Sequence, residues 1–466
     1  MAVDAFAGTG HIPRTGTLPL LAAGGCVLVG GIAVIAPAAA LALVIGIGFL
    51  LVTFRSLPAG LGVFTLLIAL DDIPALQSGV TFVKLAGGVL VAAWLAQVVL
   101  RRDDTQSLLR ERPLLSAAAA GLVVWALASS LWADDQGVAI SSALRLSQGV
   151  VLLFVVYSAL REPKHVRWLL GAYVGGTLVA AAFALASFSG GDSGRLGGAN
   201  TNPNELAAAI LPAIMVCAFA FLGERRPVAR WAISVGGSML LLALLMTGSR
   251  GGLVGLAVAL VAAVVAAGPG RLKIVAAALV IIGIGVVYYA TYAPQDYVDR
   301  LAAVRNDGGT GRSDLWEVAL VIADDRPVTG VGAGNFPVAE ARYAAAEVNI
   351  ERIDLVLDKT KVVHNVYLSL LSELGVVGLA FFLCLVVGAL ASIVQALRRL
   401  RGSDWPFQLL VRGFLVGVVA IMVAYTFATA EYEKQLWLLL GVAFALPALA
   451  ARVAGATRFP DSLPRQ

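Results

Sequence analysis

The chain has 466 residues, of which 59% are hydrophobic and only 14% are charged. In a soluble globular domain the apolar share, glycine included, is about half, so this composition indicates a polytopic membrane protein. The formal net charge of +5 comes from short basic connections between apolar segments and gives no support to nucleic-acid binding.

The chain offers no sequence signal for a disulfide framework, a cysteine-based metal site or a cleaved leader. Its three cysteines, Cys26, Cys217 and Cys384, all lie inside apolar runs. A removable signal has a basic region before an apolar core, and the first residues carry no such basic region. We therefore expect residues 1–17 to form a short cytoplasmic tail.

Apolar runs long enough to cross a hydrocarbon core, which takes about 20 residues, recur along almost the whole chain. We count fourteen, at 18–37, 39–54, 57–70, 79–100, 114–133, 140–160, 165–189, 205–222, 228–246, 250–267, 270–291, 375–398, 406–429 and 432–452. The predicted fold is an all-α membrane bundle of about 12–14 transmembrane helices. Its parts are a bundle of about eleven spans at 18–292, an external loop at 293–363, C-terminal spans at 364–453 and a cytoplasmic tail at 454–466.

Basic residues concentrate in every second connection between these runs. Clusters such as Arg101–Arg102 and Arg398–Arg399 alternate with connections that hold acidic pairs, such as Asp71–Asp72 and Asp134–Asp135. Cytoplasmic loops of membrane proteins carry the excess of lysine and arginine. The pattern predicts a cytoplasmic N-terminus and places the 293–363 loop outside the cytoplasmic membrane.

The external loop at 293–363 is long enough to carry function. A first helix is expected from about Thr310, capped by Ser313 or Asp314 and ended by Arg326–Pro327. Its apolar stripe consists of Leu315, Val318, Ala319 and Ile322. A second helix is expected from Pro337 to Val348. We interpret the glycine-rich stretch between them as a turn and not a phosphate cradle, because no strand precedes it.

Three cations fall inside or at the outer end of predicted spans, namely Lys84, Arg145 and Arg250. A charge within the membrane costs at least about 2.5 kcal/mol, so each needs a partner. Two interpretations stay open. An anionic ligand such as a lipid pyrophosphate would satisfy several cations together, whereas lipid headgroups would satisfy each at a helix end.

The stretch from Val363 to Leu379 places a histidine, His364, at the start of an apolar helix. Asn365 follows it, and Gly375 and Gly378 allow close packing or a bend further along. On these residues alone, an interfacial histidine without chemistry and a functional histidine are both open.

Four motifs together resemble the bacterial O-antigen ligase/polymerase family, which are integral membrane glycosyltransferases that use undecaprenyl-diphosphate-linked glycans. They are His364–Asn365 with Gly375-x-x-Gly378, the stretch 198–207 containing Asn202-Pro203-Asn204, the turn 248–252 containing Arg250, and Gly311–Arg312 to Trp316 followed by Pro327-x-x-Gly330-x-Gly332. The resemblance covers roughly residues 60 to 440. It departs from the family in span count, because the family's ligases usually have about twelve.

The resemblance implies transfer of a glycan from undecaprenyl diphosphate to an acceptor hydroxyl, with inversion, outside the membrane. Its expected catalytic residues are His364 as general base, with Arg250 and Arg312 stabilising the leaving pyrophosphate. Lys84, Arg145 and Arg250 are expected to bind the donor diphosphate. Asn365, Asn202, Asn204 and Trp316 are the candidates for binding glycan or acceptor, although Asn204 is also a candidate helix cap.

No cofactor is expected. The pair Asp71–Asp72 could bind a metal ion in a competing, metal-dependent reaction, but adjacent acidic residues at a helix end more often face water. The acceptor stays open between a glycan, a lipid and a protein hydroxyl. A transporter or flippase of lipid-linked or anionic sugars is the alternative from another class, although no internal repeat supports it.

Overall fold

The computed structural model describes residues 37–69, 82–100, 107–188, 195–197, 202–292, 312–347 and 362–458. These residues form helices and connections without a β-strand, which confirms the predicted all-α membrane bundle. The α-helices in chain order are α1 Pro37–Arg55, α2 Leu57–Ile68, α3 Phe82–Leu100, α4 Leu108–Glu111, α5 Pro113–Ala128, α6 Gln136–Ala159, α7 Pro163–Ala186, α8 Pro203–Gly223, α9 Pro227–Met246, α10 Arg250–Ala266, α11 Arg271–Thr291, α12 Arg312–Asp325, α13 Phe336–Glu347, α14 Val366–Arg399, α15 Trp405–Ala424 and α16 Lys434–Arg458. Short 3-10 turns extend α5, α10 and α15.

In the described part of the chain, ten helical segments are long and apolar enough to cross a membrane. Three shorter apolar helices, in α1, α2 and α10, accompany them. Thirteen of the fourteen predicted spans therefore coincide with a helix, and the first, at 18–37, lies almost wholly outside the described residues. The last helix, α16, runs to Arg458, beyond the expected end of the bundle at residue 453.

The centre of the bundle consists of α8, α15 and α16. In the apolar 18-residue stretch of each helix, 72%, 72% and 78% of the residues are buried. In contrast, only 11% of the corresponding stretch of α11 is buried, and Leu279, Val280 and Val286 point outward. Water would make such an exposed apolar surface unfavourable, whereas lipid tails accept it. The outer helices therefore have the surface of membrane-facing helices.

The helices α12 and α13 form a small cluster of their own on the bundle. The predicted stripe of Leu315, Val318, Ala319 and Ile322 is buried there, together with Val331, Phe336 and Val363. The predicted caps are wrong, because α12 already begins at Arg312 and contains Ser313 and Asp314 in its first turn. Helix α12 ends before Arg326–Pro327, as the sequence predicts.

Helix α14 is broken at Gly375, where φ is 65° and ψ is −171°. The loop 327–335, which joins α12 to α13, docks into this break. Four hydrogen bonds use backbone groups at the break: Val331 N–H to Ser372 O (3.0 Å), Gly332 N–H to Glu373 O (2.8 Å), Val376 N–H to Pro327 O (2.8 Å) and Trp125 Nε1–H to Leu374 O (2.8 Å). A Cβ on Gly375 would lie 2.1 Å from Val328 O, so only glycine fits.

The same loop also contacts the connection between α5 and α6. Asn335 accepts a hydrogen bond from Asp135 N–H (2.8 Å) and donates one to Asp135 O (3.1 Å). Arg342 on α13 forms an ion pair with Asp134 at 3.0 Å. The glycine-rich stretch is therefore a packed connection that fixes α12 and α13 on the bundle.

Candidate functional site

His364 has the backbone conformation that side chains rarely adopt. Its φ is 54°, and it is the one non-glycine residue with positive φ in the described ranges. Such a conformation costs about 1–3 kcal/mol and persists only where its surroundings enforce it. Strain of this kind clusters at functional sites, which makes His364 a candidate on structural grounds as well as from its motif.

Three contacts hold the strained segment. His364 N–H donates to Thr429 Oγ1 at 2.9 Å, from the connection between α15 and α16. The indole Nε1–H of Trp316 donates to Val363 O at 3.1 Å. Asn365 is the N-cap of α14, and its Oδ1 accepts from the backbone N–H groups of Tyr367 (3.0 Å) and Leu368 (3.2 Å).

Thr429 was not among the sequence candidates, and its role can be tested directly. Thr429→Val removes the acceptor for His364 N–H and keeps the shape, so the histidine backbone should relax from its strained conformation. If His364 is catalytic, transfer should fall about tenfold or more. Thr429→Ser keeps the hydroxyl and should retain most of the rate. Equal rates for both variants and the unmodified protein would contradict this role.

Two residues expected to bind glycan or acceptor, Asn365 and Trp316, also form contacts within the protein. The carboxamide oxygen of Asn365 is used by the cap of α14, and Trp316 connects α12 to the His364 segment while its ring lies 6.2 Å from that of Phe427. These contacts leave sugar binding by either residue as a prediction. They show that both residues position His364.

A cluster of three arginines forms the second part of the site. Arg195 and Arg250 each lie within electrostatic range of Arg312, although the three come from separate parts of the sequence. Burial lowers the pKa of Arg312, and the charges of Arg195 and Arg250 lower it further. A guanidinium stays charged at neutral pH, so this cluster is a concentrated positive site suited to a polyanion.

Asn204 organises the cluster from the first turn of α8. Its Oδ1 accepts from Arg195 Nη2 (3.2 Å) and from the hydroxyl of Ser249 (2.8 Å), and Arg195 Nε also donates to Thr247 O (2.9 Å). Asn202, not Asn204, caps α8, and its Oδ1 accepts from both nitrogens of Asn204 at 3.0 Å. The asparagines predicted to bind sugar therefore hold Arg195 and Ser249 in place.

Arg250 is the first residue of α10, directly after its N-cap Ser249, whose hydroxyl accepts from Gly252 N–H at 3.1 Å. A helix N-terminus carries partial positive charge and unpaired N–H groups, so it favours an anion. Arg250 is half-buried here. The cluster thus combines guanidinium groups with the end of a helix dipole.

Helix α12 connects the two parts of the site. Arg312 and Trp316 are four residues apart, which places them one turn apart on the same face of the helix. Arg312 belongs to the arginine cluster, and Trp316 binds the residue before His364. Four residues of helix rise by about 6 Å, so α12 links the arginine cluster to the His364 segment over one helical turn.

The other predicted diphosphate ligands are exposed. Lys84 is the third residue of α3 and forms no ion pair with the described residues. Arg145 lies on α6 within electrostatic range of Tyr432, three residues after Thr429, and so belongs to the histidine side of the site. No group of three or more potential metal ligands occurs within the described ranges, and Asp71–Asp72 lie outside them.

Residues 235–383 match the family model described as O-antigen ligase (Wzy_C). This match supports the assignment of the chain to the O-antigen ligase/polymerase family. The matched region contains Arg250, Arg312, His364 and the helix break at Gly375. It does not include Arg195 or Thr429, which only the folded chain brings to the site. A search of the curated proteins finds no match.

Proposed function

We propose that the protein transfers a glycan from a lipid diphosphate, of the undecaprenyl type used by the family, to an acceptor hydroxyl outside the cytoplasmic membrane. The single observation that carries this proposal is that one helix, α12, bears Arg312, within electrostatic range of Arg195 and Arg250, and also Trp316, which bonds to the residue before the strained His364. Cations for a leaving pyrophosphate and a base for the acceptor are the two requirements of this reaction.

The transfer is a single displacement at the anomeric carbon, which inverts its configuration. The acceptor oxygen forms the new bond to this carbon while the bond to the diphosphate oxygen breaks. His364 accepts the proton of the acceptor hydroxyl, because a neutral imidazole is a suitable base near pH 7. The arginine cluster receives the negative charge that develops on the leaving lipid diphosphate.

The exposed cations Arg145 and Lys84 would have a supporting role in donor binding. Arg145, close to the histidine side, and Lys84, at one end of α3, would attract the anionic headgroup before it reaches the cluster. Exposed charges of this kind contribute less than buried ones because solvent and salt screen them. Removing either should therefore weaken donor binding more than it slows the chemical step.

The orientation of the site gives a second prediction. A reporter domain fused after Gly334, in the loop between α12 and α13, should be external, and one fused after Arg401, in the basic turn after α14, should be cytoplasmic. Protease protection in sealed vesicles measures both. The opposite result at either position would contradict the predicted orientation.

A test of the function itself compares glycans extracted from cells with and without an active copy of the gene. The proposed transfer predicts that inactivation leaves short lipid-linked glycans unconsumed on the outer face. Long lipid-linked chains that depend on the gene would identify glycan as the acceptor, whereas glycan joined to a lipid core or to protein would identify a ligase. A transporter would instead leave its substrate on the inner face, and that outcome would refute the proposal.

A further inference from the structure

Two buried glutamates lie beside the site and have no part in the transfer described above. Glu373 on α14 is 5% exposed, and Glu431, between α15 and α16, is 1% exposed. Each lies within electrostatic range of the other. Two buried carboxylates this close cannot both ionise without a large cost, so one of them holds a proton.

The hydrogen bonds differ sharply between the two carboxyl groups. Glu373 accepts from the backbone N–H of Gly334 at 2.7 Å, and also from Phe336 N–H and the hydroxyl of Tyr432. Burial and the neighbouring Glu431 raise the pKa of Glu373, as they would for any buried carboxyl group. The three donors oppose this shift, because they occupy most of the lone-pair sites of the carboxyl group and favour its ionised form.

Glu431 differs from Glu373 in one of its two carboxyl oxygens. Its Oε1 accepts from the hydroxyl of Ser369 at 2.9 Å, and the backbone N–H groups of Ala430 and of Glu431 itself also donate to the carboxyl group. Its Oε2, however, is buried without a hydrogen-bond partner among the described residues. Burial raises the pKa of Glu431 above that of an ordinary carboxyl group. A charged oxygen without a partner would be far more costly than a neutral hydroxyl, so Glu431 is the member that holds the proton.

We propose that Glu373 is a positioning residue, whose negative charge holds the loop 327–335 in the break of α14 and thereby places Arg312 in the arginine cluster, with Glu431 as its neutral neighbour. The loop leads directly out of α12, the helix that begins with Arg312. Besides its bonds to the connection between α5 and α6, the loop is anchored at the break by the carbonyls freed at Gly375 and by the carboxylate of Glu373.

The anchoring is specific to one end of α12. Trp316 fixes the helix near its start through Val363 O, and the docked loop fixes it at its end. If the loop leaves the break, α12 loses the hydrogen bonds that fix its end and keeps the bond through Trp316 and the packing of its apolar stripe, so Arg312 can shift relative to Arg250. His364 would keep its hydrogen bond to Thr429 and the cap of Asn365. Loss of the anchor should therefore disturb the cations and spare the base.

The test compares Glu373→Gln with Glu431→Gln in the purified full-length protein. Both substitutions have the same size and remove the same ionisable group. Glutamine at 373 points an amide N–H₂ at groups that are themselves donors, whereas glutamine at 431 reproduces a protonated acid with its oxygen towards Ser369. Hydrogen–deuterium exchange of the peptide that contains Val331, Gly332 and Gly334 reports on docking of the loop, with peptides from α8 as the internal reference.

We expect Glu373→Gln to accelerate exchange of these amides by about tenfold or more, as for loss of hydrogen bonds to a charged group, and Glu431→Gln to leave it near that of the unmodified protein. This part requires no substrate and so stands apart from the proposed function. Similar acceleration in both variants, or in neither, overturns the proposal. If Glu373→Gln does not fold, Tyr432→Phe removes one donor to the same carboxylate and should accelerate exchange by a smaller factor.

The consequence for transfer rests on the proposed function. Glu373→Gln should raise the KM for a lipid-diphosphate donor more than it lowers kcat, because Arg312 moves and His364 does not. A general structural defect would lower kcat through loss of active protein and leave KM unchanged. Fast exchange with an unchanged KM would refute the link from Glu373 to Arg312 while leaving the transfer reaction itself unaffected.

Discussion

His364→Gln should abolish detectable transfer while the protein still inserts into the membrane and binds donor lipid. Glutamine retains similar size and hydrogen bonding but has no basic nitrogen, and a positioned general base contributes about 10² to 10⁴ in rate. The arginines proposed to bind the diphosphate lie in the connection before α8, on α10 and on α12, so donor binding should survive. Release of undecaprenyl diphosphate from a defined lipid-linked oligosaccharide measures the first effect, and retention of undecaprenyl diphosphate on the purified protein measures the second.

The chain contains a matched control for this substitution. His165 lies in the first turn of α7, where its ring is 5.6 Å from that of Trp168, away from the strained segment. His165→Gln makes the same chemical change and should leave transfer unaltered. Near-normal transfer by the purified His364→Gln variant would show that His364 orients groups and does not accept the proton.

The rate of the unmodified protein should also depend on pH through the same ring. A protonated imidazole cannot accept a proton, so transfer should fall as the solution becomes acidic enough to protonate His364. Binding of the lipid diphosphate should change less over this range, because the guanidinium groups of the cluster remain charged. If transfer and binding of the lipid diphosphate fell together, the titrating group would belong to the ligand or to a residue needed for folding, and not to His364.

The helices of this protein could be predicted from the sequence because a membrane demands long apolar segments with their backbone bonds satisfied internally. The break of α14 was also visible, as a glycine pair in an otherwise regular apolar run. What fills the break was not, because the bonds from Val331 and Gly332 to Ser372 and Glu373 join residues about 40 apart in sequence. Only the fold brings them together.

The site residues also divide into those that the sequence identified and those that only the fold brings together. His364, Arg250 and Arg312 stand in short motifs, and the sequence identified them as candidates. Arg195 was not among the candidates, because its place depends on Asn204 and Thr247 from two other segments. Asparagines look like sugar ligands in isolation, but Asn202, Asn204 and Asn365 have carboxamide oxygens that accept hydrogen bonds within the protein.

The arginine cluster gives the second large effect. Replacing Arg250 or Arg312 by alanine should lower transfer by about 10²-fold or more, the loss typical of removing a donor to developing negative charge. Lysine keeps the charge but loses the planar fork of donors that matches a phosphate, so Arg250→Lys and Arg312→Lys should recover only part of the rate at normal folding yield. Arg230→Lys is a matched control, because Arg230 lies over the ring of Phe221, outside the cluster.

Substitutions at Arg195 and at Asn204, its partner, test whether the cluster binds the lipid diphosphate or only holds neighbouring residues in place. Its guanidinium holds Thr247 O and Asn204 Oδ1 at once, so lysine at 195 cannot keep both bonds, and Ser249 with the start of α10 should lose its alignment. Asn204→Asp keeps the acceptor oxygen while adding a negative charge beside the cluster. If the cluster binds the lipid diphosphate, this charge should weaken donor binding at least as much as Arg195→Lys does. Full donor affinity and full transfer in Asn204→Asp, Arg250→Lys and Arg312→Lys would exclude the cluster as the diphosphate site, because neither its charge nor its geometry would then matter to the donor.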